Sequence, residues 1–174
     1  MAAIDPVSEA ARVNWRQLLQ NLLPYVDFFL PSIEELCFML GYPSEQTPGV
    51  MAEELLQMGA KVVVIKCGEK GLYCRTAADL SGIGAKAELN TAAWEDQQVF
   101  QKAYPAEKIC SATGAGDTCI AAFLTAMLEG RALEDCLRLA AATGASCVEA
   151  YDALSGLKPF EVLEEKMSRG WGKE

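Results

Sequence analysis

The chain has 174 residues, 51% hydrophobic and 22% charged, and its 24 acidic against 15 basic residues leave a net charge of −9. That size and composition fit one globular domain with a sizeable core, and the acidic balance argues against a general nucleic-acid or anionic-membrane surface, which needs clustered Lys and Arg. The chain contains no His, which excludes His-dependent catalysis and mixed zinc sites, and no apolar stretch approaches the ~20 residues of a membrane span.

Residues 2–6 read as the tail of a short buried strand running into a loop. A helix is predicted over 12–23, with Trp15, Leu18, Leu19, Leu22 and Leu23 on one face. Residues 26–30 are a compact apolar run closed by Pro31, which suits a buried parallel strand. Ser32 is placed to cap the next helix and Glu35 stands at its third position, a capping-box arrangement. That helix is expected to end near Gly41, and another to run over 49–58 and stop at Gly59. The clearest strand is 61–66, and Gly68-Glu69-Lys70-Gly71 turns it into Leu72-Tyr73-Cys74 as a hairpin.

Between 76 and 105 the pattern weakens, with Trp94, Val99, Phe100 and Tyr104 suggesting short strands or an inserted loop. A glycine-rich segment, 113–116, then opens a helix to about 129 whose core face is Ile120, Phe123, Leu124, Met127 and Leu128. An Ala- and Gly-rich helix is expected over 133–151 and an amphipathic one over 160–167. Alternating strands and helices predict an α/β layered fold around a mainly parallel sheet. The chain opens inside an apparent strand, as if cut from a larger protein. Seven cysteines without a CxxC pair read as buried, reduced thiols of a cytoplasmic protein.

Chemistry concentrates at Thr113-Gly114-Ala115-Gly116-Asp117, where a long helix begins. Two glycines let the backbone turn sharply, and the first-turn amides of a helix have no internal partners. The helix dipole adds about half a positive charge there, so the segment is suited to a phosphate or a developing transition-state charge. Asp117 beside it reads either as a helix-capping acid or as a general base taking a proton from an attacking hydroxyl.

These residues resemble the ribokinase-like, or PfkB, family of carbohydrate kinases, whose signature has the form Asp-x-Thr-Gly-Ala-Gly-Asp followed by a small-small-aromatic step. Here it reads Ser111-Ala112-Thr113-Gly114-Ala115-Gly116-Asp117, with Ala121-Ala122-Phe123 in the helix. Further matches follow the family's order. Pro31-Ser32-Ile33-Glu34-Glu35-Leu36 resembles its Pro-Asn-x-x-Glu-Leu segment, Lys66-Cys67-Gly68-Glu69-Lys70-Gly71 its strand-end loop beside the nucleotide, and 140–153 the helix and turn over the adenine.

The resemblance covers residues 4–153 and implies a three-layer α/β/α ribokinase-like fold. It makes 1–174 the C-terminal, nucleotide-binding part of a kinase domain whose N-terminal part and lid are absent. It implies ATP-dependent phosphorylation of a sugar or sugar-like hydroxyl, with ATP and magnesium as cofactors. Asp117 would be the base, and the amides of Ala115, Gly116 and Asp117 the anion hole, with Gly114 in the same catalytic loop. Glu35 would act on magnesium, which is compatible with capping. Lys66, Gly68, Gly71, Thr113, Ala140, Thr143 and Gly144 would border the nucleotide; Lys66 and Lys70 also read as surface lysines, and Gly68 and Gly71 as turn glycines.

Three positions depart from the pattern. Ser32 replaces Asn, weakening the polar network around metal and phosphate. Ser111 replaces an Asp of a monovalent-cation site, which argues against potassium activation, and Ala112 replaces a Ser or Thr. The family's sugar-binding half has no counterpart here, so the chain alone is expected to lack much of a sugar pocket and to expose sheet edge that favours self-association. A catalytically incomplete nucleotide-binding or regulatory remnant is the alternative. A dinucleotide-binding dehydrogenase would need GxGxxG after the first strand, and a P-loop NTPase GxxxxGK[ST]; neither pattern occurs. The expected partner is a small-molecule sugar, with no nucleic acid or membrane.

Overall fold

The computed structural model describes residues 13–42, 47–83 and 90–172. The strand tail expected at 2–6 and the first residue of the helix expected over 12–23 lie outside them.

Helix α1, Trp15–Leu22, passes through a 3₁₀ turn, Leu23–Tyr25, into strand β1, Phe28–Phe29. Helix α2, Ile33–Leu40, starts at Ser32 with both capping-box hydrogen bonds and ends at Gly41 in the left-handed conformation. Helix α3, Pro48–Gln57, takes Pro at its first position, where the missing N–H costs nothing. Strands β2, Val62–Lys66, and β3, Gly71–Thr76, form the expected hairpin in a register pairing Ile65 with Tyr73 and Lys66 with Leu72.

The segment 76–105, expected to hold short strands or an inserted loop, holds one short strand among its described residues. It contains a short helix α4, Thr91–Trp94, and strand β4, Gln98–Lys102, antiparallel to β3. The buried Thr76 hydroxyl fixes this excursion by donating to the Trp94 carbonyl at 2.5 Å and accepting from the Gln97 amide at 2.7 Å. Helices α5, Ala115–Leu128, α6, Leu133–Cys147, and α7, Phe160–Ser168, complete the chain.

The three-layer α/β/α fold is present, but the described strands make a mixed sheet rather than a mainly parallel one. Its order is β1-β2-β3-β4, with one parallel pairing, β1 with β2, and two antiparallel pairings. The reason is local. Residues 67–70 are too few for a crossover, so β3 has to return antiparallel.

Strand alternation feeds both layers. Val62, Val64, Leu72 and Cys74 join the core under α5, α6 and α7, whereas Val63, Ile65 and Tyr73 join the one under α1, α2 and α3. Burial on both faces explains the unbroken valine run of β2, each such side chain stabilising by about 1.5–3 kcal/mol relative to exposure. Phe28, Trp94 and Phe123 meet edge to face at 6.0–6.5 Å and close the first core.

Helix α6 ends at Cys147, four residues short of the expected 151. Tertiary contacts stop it. The Val148 carbonyl accepts from the Cys110 and Ser111 amides, and the Ser146 hydroxyl reaches the Gly156 carbonyl at 2.5 Å. The chain therefore folds back over the helix end. Among the described residues no helix is long and apolar enough to cross a membrane.

Candidate functional site

The parallel pair β1–β2 ends where the chemistry-bearing loops begin. The Lys66 amide donates to the Pro31 carbonyl at 2.9 Å, and Ser32 bridges Lys66 in parallel fashion. This sets the start of α2, with Glu35, next to the end of β2. The Ser32 amide donates to Glu35 Oε2 at 2.6 Å, and the Glu35 amide donates to the Ser32 hydroxyl at 3.1 Å. One oxygen of an exposed carboxylate is thus used for capping. Among the described residues no group of three or more His, Cys, Asp or Glu side chains is arranged to hold a metal.

Opposite, Gly114 forms the N-cap of α5 with φ 80°. No side chain caps this helix, so the capping role considered for Asp117 is not what the structure gives it: Asp117 lies in the first turn, exposed, without a hydrogen bond or ion pair among the described residues. The Ala115 amide donates to the Ala112 carbonyl at 3.2 Å. The Gly116 and Asp117 amides have no partner among the described residues, which reduces the open donors from three to two. Lys66 reaches this turn, its Nζ 3.6 Å from where a Cβ on Gly116 would stand.

A cleft of about 680 Å³ opens over this junction. Of the residues expected near the nucleotide, Lys66, Gly68, Gly71, Ala115, Gly116 and Gly144 line it. Gly68 has φ 58°, and Gly71 lies so close to β4 that a Cβ would collide with the Gln101 carbonyl. Both therefore shape the hairpin and face the cleft. Gly144 of α6 faces α5, where a Cβ would make ordinary van der Waals contact, 3.6 Å from the Ala115 carbonyl.

Ala140 and Thr143 are placed otherwise. Ala140 is fully buried in the core, and Thr143 is buried with a hydroxyl that has no partner among the described residues. Thr113 is exposed, and its carbonyl accepts weakly from the Cys147 thiol at 3.8 Å. Gly114 packs against the turn after α6, where a Cβ would collide with that of Ala153. Ser111 accepts from the Thr113 amide at 3.1 Å, so its hydroxyl shapes the loop. Burial pushes the Cys119 thiol in the cleft wall up to about 12, against the opposing pull of the Lys66 charge.

Sequence reasoning missed the rest of the wall. Tyr104, Pro105, Ala106 and Ile109, in the linker after β4, line the cleft together with Gly172 near the chain's end. The polar–apolar alternation Gln98-Val99 and the aromatic Tyr104 were the available signals, too weak to place a linker that only the β3–β4 pairing carries to the site.

A model of the pfkB family carbohydrate kinases matches residues 3–159. The chain is 32% identical to a ribokinase of Arabidopsis thaliana over 79% of its own length and 32% of that protein's. It superposes on the solved Arabidopsis thaliana ribokinase complexed with ribose and ATP with a TM-score of 0.68, 28% identity, and 84% of this chain against 42% of that one. An E. coli structure in complex with ATP and Mg²⁺ shares the fold, with a TM-score of 0.67, 23% identity, and 88% of this chain against 43% of that one. The chain thus spans between a third and a half of the length of these proteins.

Proposed function

The chain belongs to the pfkB family of carbohydrate kinases, and from that premise we propose that it forms the nucleotide side and the catalytic base of an ATP-dependent kinase acting on a sugar or sugar-like hydroxyl. One observation carries this reading. The first turn of α5 presents two amides, Gly116 and Asp117, and an exposed carboxylate, all without a partner among the described residues, beside the Lys66 ammonium.

The chemistry these residues do is limited and sufficient. Asp117 accepts the proton of the attacking hydroxyl. The freed oxygen forms its bond to the γ-phosphorus as the bond to the bridging oxygen breaks, and ADP leaves with that electron pair. The two amides and the helix dipole stabilise negative charge where it develops, and Lys66 adds a full positive charge. Magnesium, when bound, would neutralise further charge. The second Glu35 oxygen fits it as one ligand, directly or through water, because a magnesium ion at such sites takes most of its ligands from phosphate and water. Ser111, with its hydroxyl turned to the loop, supplies no carboxylate for a monovalent cation.

The second reading is a nucleotide-binding or regulatory remnant of the family, favoured by Ser32 and Ser111 standing where the family pattern has Asn and Asp. The two separate in one experiment. The full chain is titrated with ATP and magnesium, then assayed for phosphorylation of a panel of sugars, alongside Asp117→Asn. A kinase gives turnover that Asp117→Asn lowers by roughly 10²–10⁴-fold with ATP affinity unchanged. Wild-type turnover by the variant would overturn the assigned base, and ATP binding without turnover of any sugar, by this chain and also by a longer chain that carries a sugar-binding half, supports the remnant.

A further inference from the structure

Residues beyond 159, where the family match ends, build part of the cleft. Gly172 lines it, with φ 81° and so close to Tyr104 that a Cβ would stand 2.8 Å from the ring. Trp171 itself is not in the wall. It packs behind Tyr104 with ring centroids 4.7 Å apart, and its indole N–H donates to the Pro105 carbonyl at 2.8 Å. Lys166 of α7 stands 4.1 Å from the Trp171 ring centroid and pairs with Glu107 at 3.2 Å. The Glu107 amide in turn donates to Glu149 at 2.8 Å. The linker 103–109 is thus tied down from the C-terminal segment on one side and from the end of α6 on the other.

The cleft has two chemical characters. Lys66 and Gly116 make a cationic, amide-rich part, whereas Tyr104, Ile109, Val148 and Gly172 make an apolar one. The first suits phosphates and the second a flat heteroaromatic ring. We infer that the C-terminal segment is a latch in which Trp171 positions Tyr104 as the wall for the nucleotide base, so that it sets affinity for the base and not for the phosphates. This rests on the reading of the cleft as an ATP site. Trp171 is a positioning residue: it acts through Tyr104.

The test uses the full chain, Trp171→Ala, Trp171→Leu and Trp171→Phe, each titrated with ATP and with inorganic tripolyphosphate in the presence of magnesium, and each checked for folding by circular dichroism. Trp171→Ala is expected to weaken ATP roughly 2- to 10-fold, the worth of one aromatic contact, and to leave tripolyphosphate unchanged. Trp171→Phe restores most of the ATP affinity, because a ring again packs against Tyr104; Trp171→Leu, which keeps apolar bulk without a ring and should show the same selective loss as the alanine variant, carries the test if Trp171→Ala does not fold. Unchanged ATP affinity in Trp171→Ala or Trp171→Leu overturns the latch while leaving the nucleotide reading intact. Equal loss of both ligands also overturns it, since a merely structural role moves both. A wild-type chain that binds tripolyphosphate but shows no preference for ATP overturns the nucleotide reading and the latch with it.

Discussion

Gly114→Ala tests the turn on which the whole site depends. Gly114 sits at φ 80° and ψ −10°, a left-handed conformation that costs an L-residue about 1–2 kcal/mol. An added Cβ also collides with Ala153, so the turn after α6 has to move, at a further ~1–3 kcal/mol by analogy with overpacked cores. Gly130, just past the end of α5, provides the control: it has φ 74° and nothing within 4 Å of an added Cβ. Gly130→Ala therefore bears the backbone cost alone. By thermal melting, Gly114→Ala should lose about 3 kcal/mol, or roughly 6–12 °C for a chain of this size, and Gly130→Ala about half of that. Gly114→Ala should also weaken ATP binding, because the Gly116 and Asp117 amides are aimed by the same turn, while Gly130→Ala should not. Equal destabilisation by the two substitutions would refute the close approach of Ala153 to the loop.

Lys66→Met should weaken ATP and tripolyphosphate alike, by roughly tenfold at low salt and less at high salt, since a point charge beside the α5 turn acts on phosphate and is screened; titration calorimetry at two ionic strengths checks this, and selective loss of ATP alone would contradict it. The buried thiols give a pH dependence whose sign is fixed. Burial raises Cys74 and Cys119 from 9.0 to about 12 in the folded chain. Their contribution is therefore fully present below pH 9 and is lost as pH rises toward 12, because the unfolded chain releases protons first. Each thiol then removes up to about 1.4 kcal/mol per pH unit. Urea midpoints measured between pH 8 and 10.5 should fall along this slope, and a flat profile would show that these thiols are not buried as described.

Much of the fold was legible because local chemistry and tertiary demand agree. Ser32 with Glu35, Gly41 after α2, and the apolar run of β2 each satisfy a local rule and a burial requirement at once. Helix α6 was overestimated because nothing in its own sequence stops it; the stop comes from Cys110, Ser111 and Gly156, which are distant in the chain or beyond its end. Strand β4 was not placed among the short strands or inserted loop expected over 76–105, because an edge strand with one exposed face shows only a faint alternation.

The site divides along the same line. Spacing alone marked the start of α5 as a candidate anion site, since Gly114, Gly116 and Asp117 are close enough in sequence to share one turn of backbone. Which donors remain open was a tertiary matter: the Ala115 amide is taken by Ala112, and Lys66 arrives from another strand. The far wall of the cleft, from Tyr104 to Gly172, joins segments some 70 residues apart. Short-range patterns record what a residue needs from its neighbours in the chain. They hold no record of which distant segment will pack against it, and the Trp171–Tyr104 contact exists only once the sheet, the linker and α7 have been brought together.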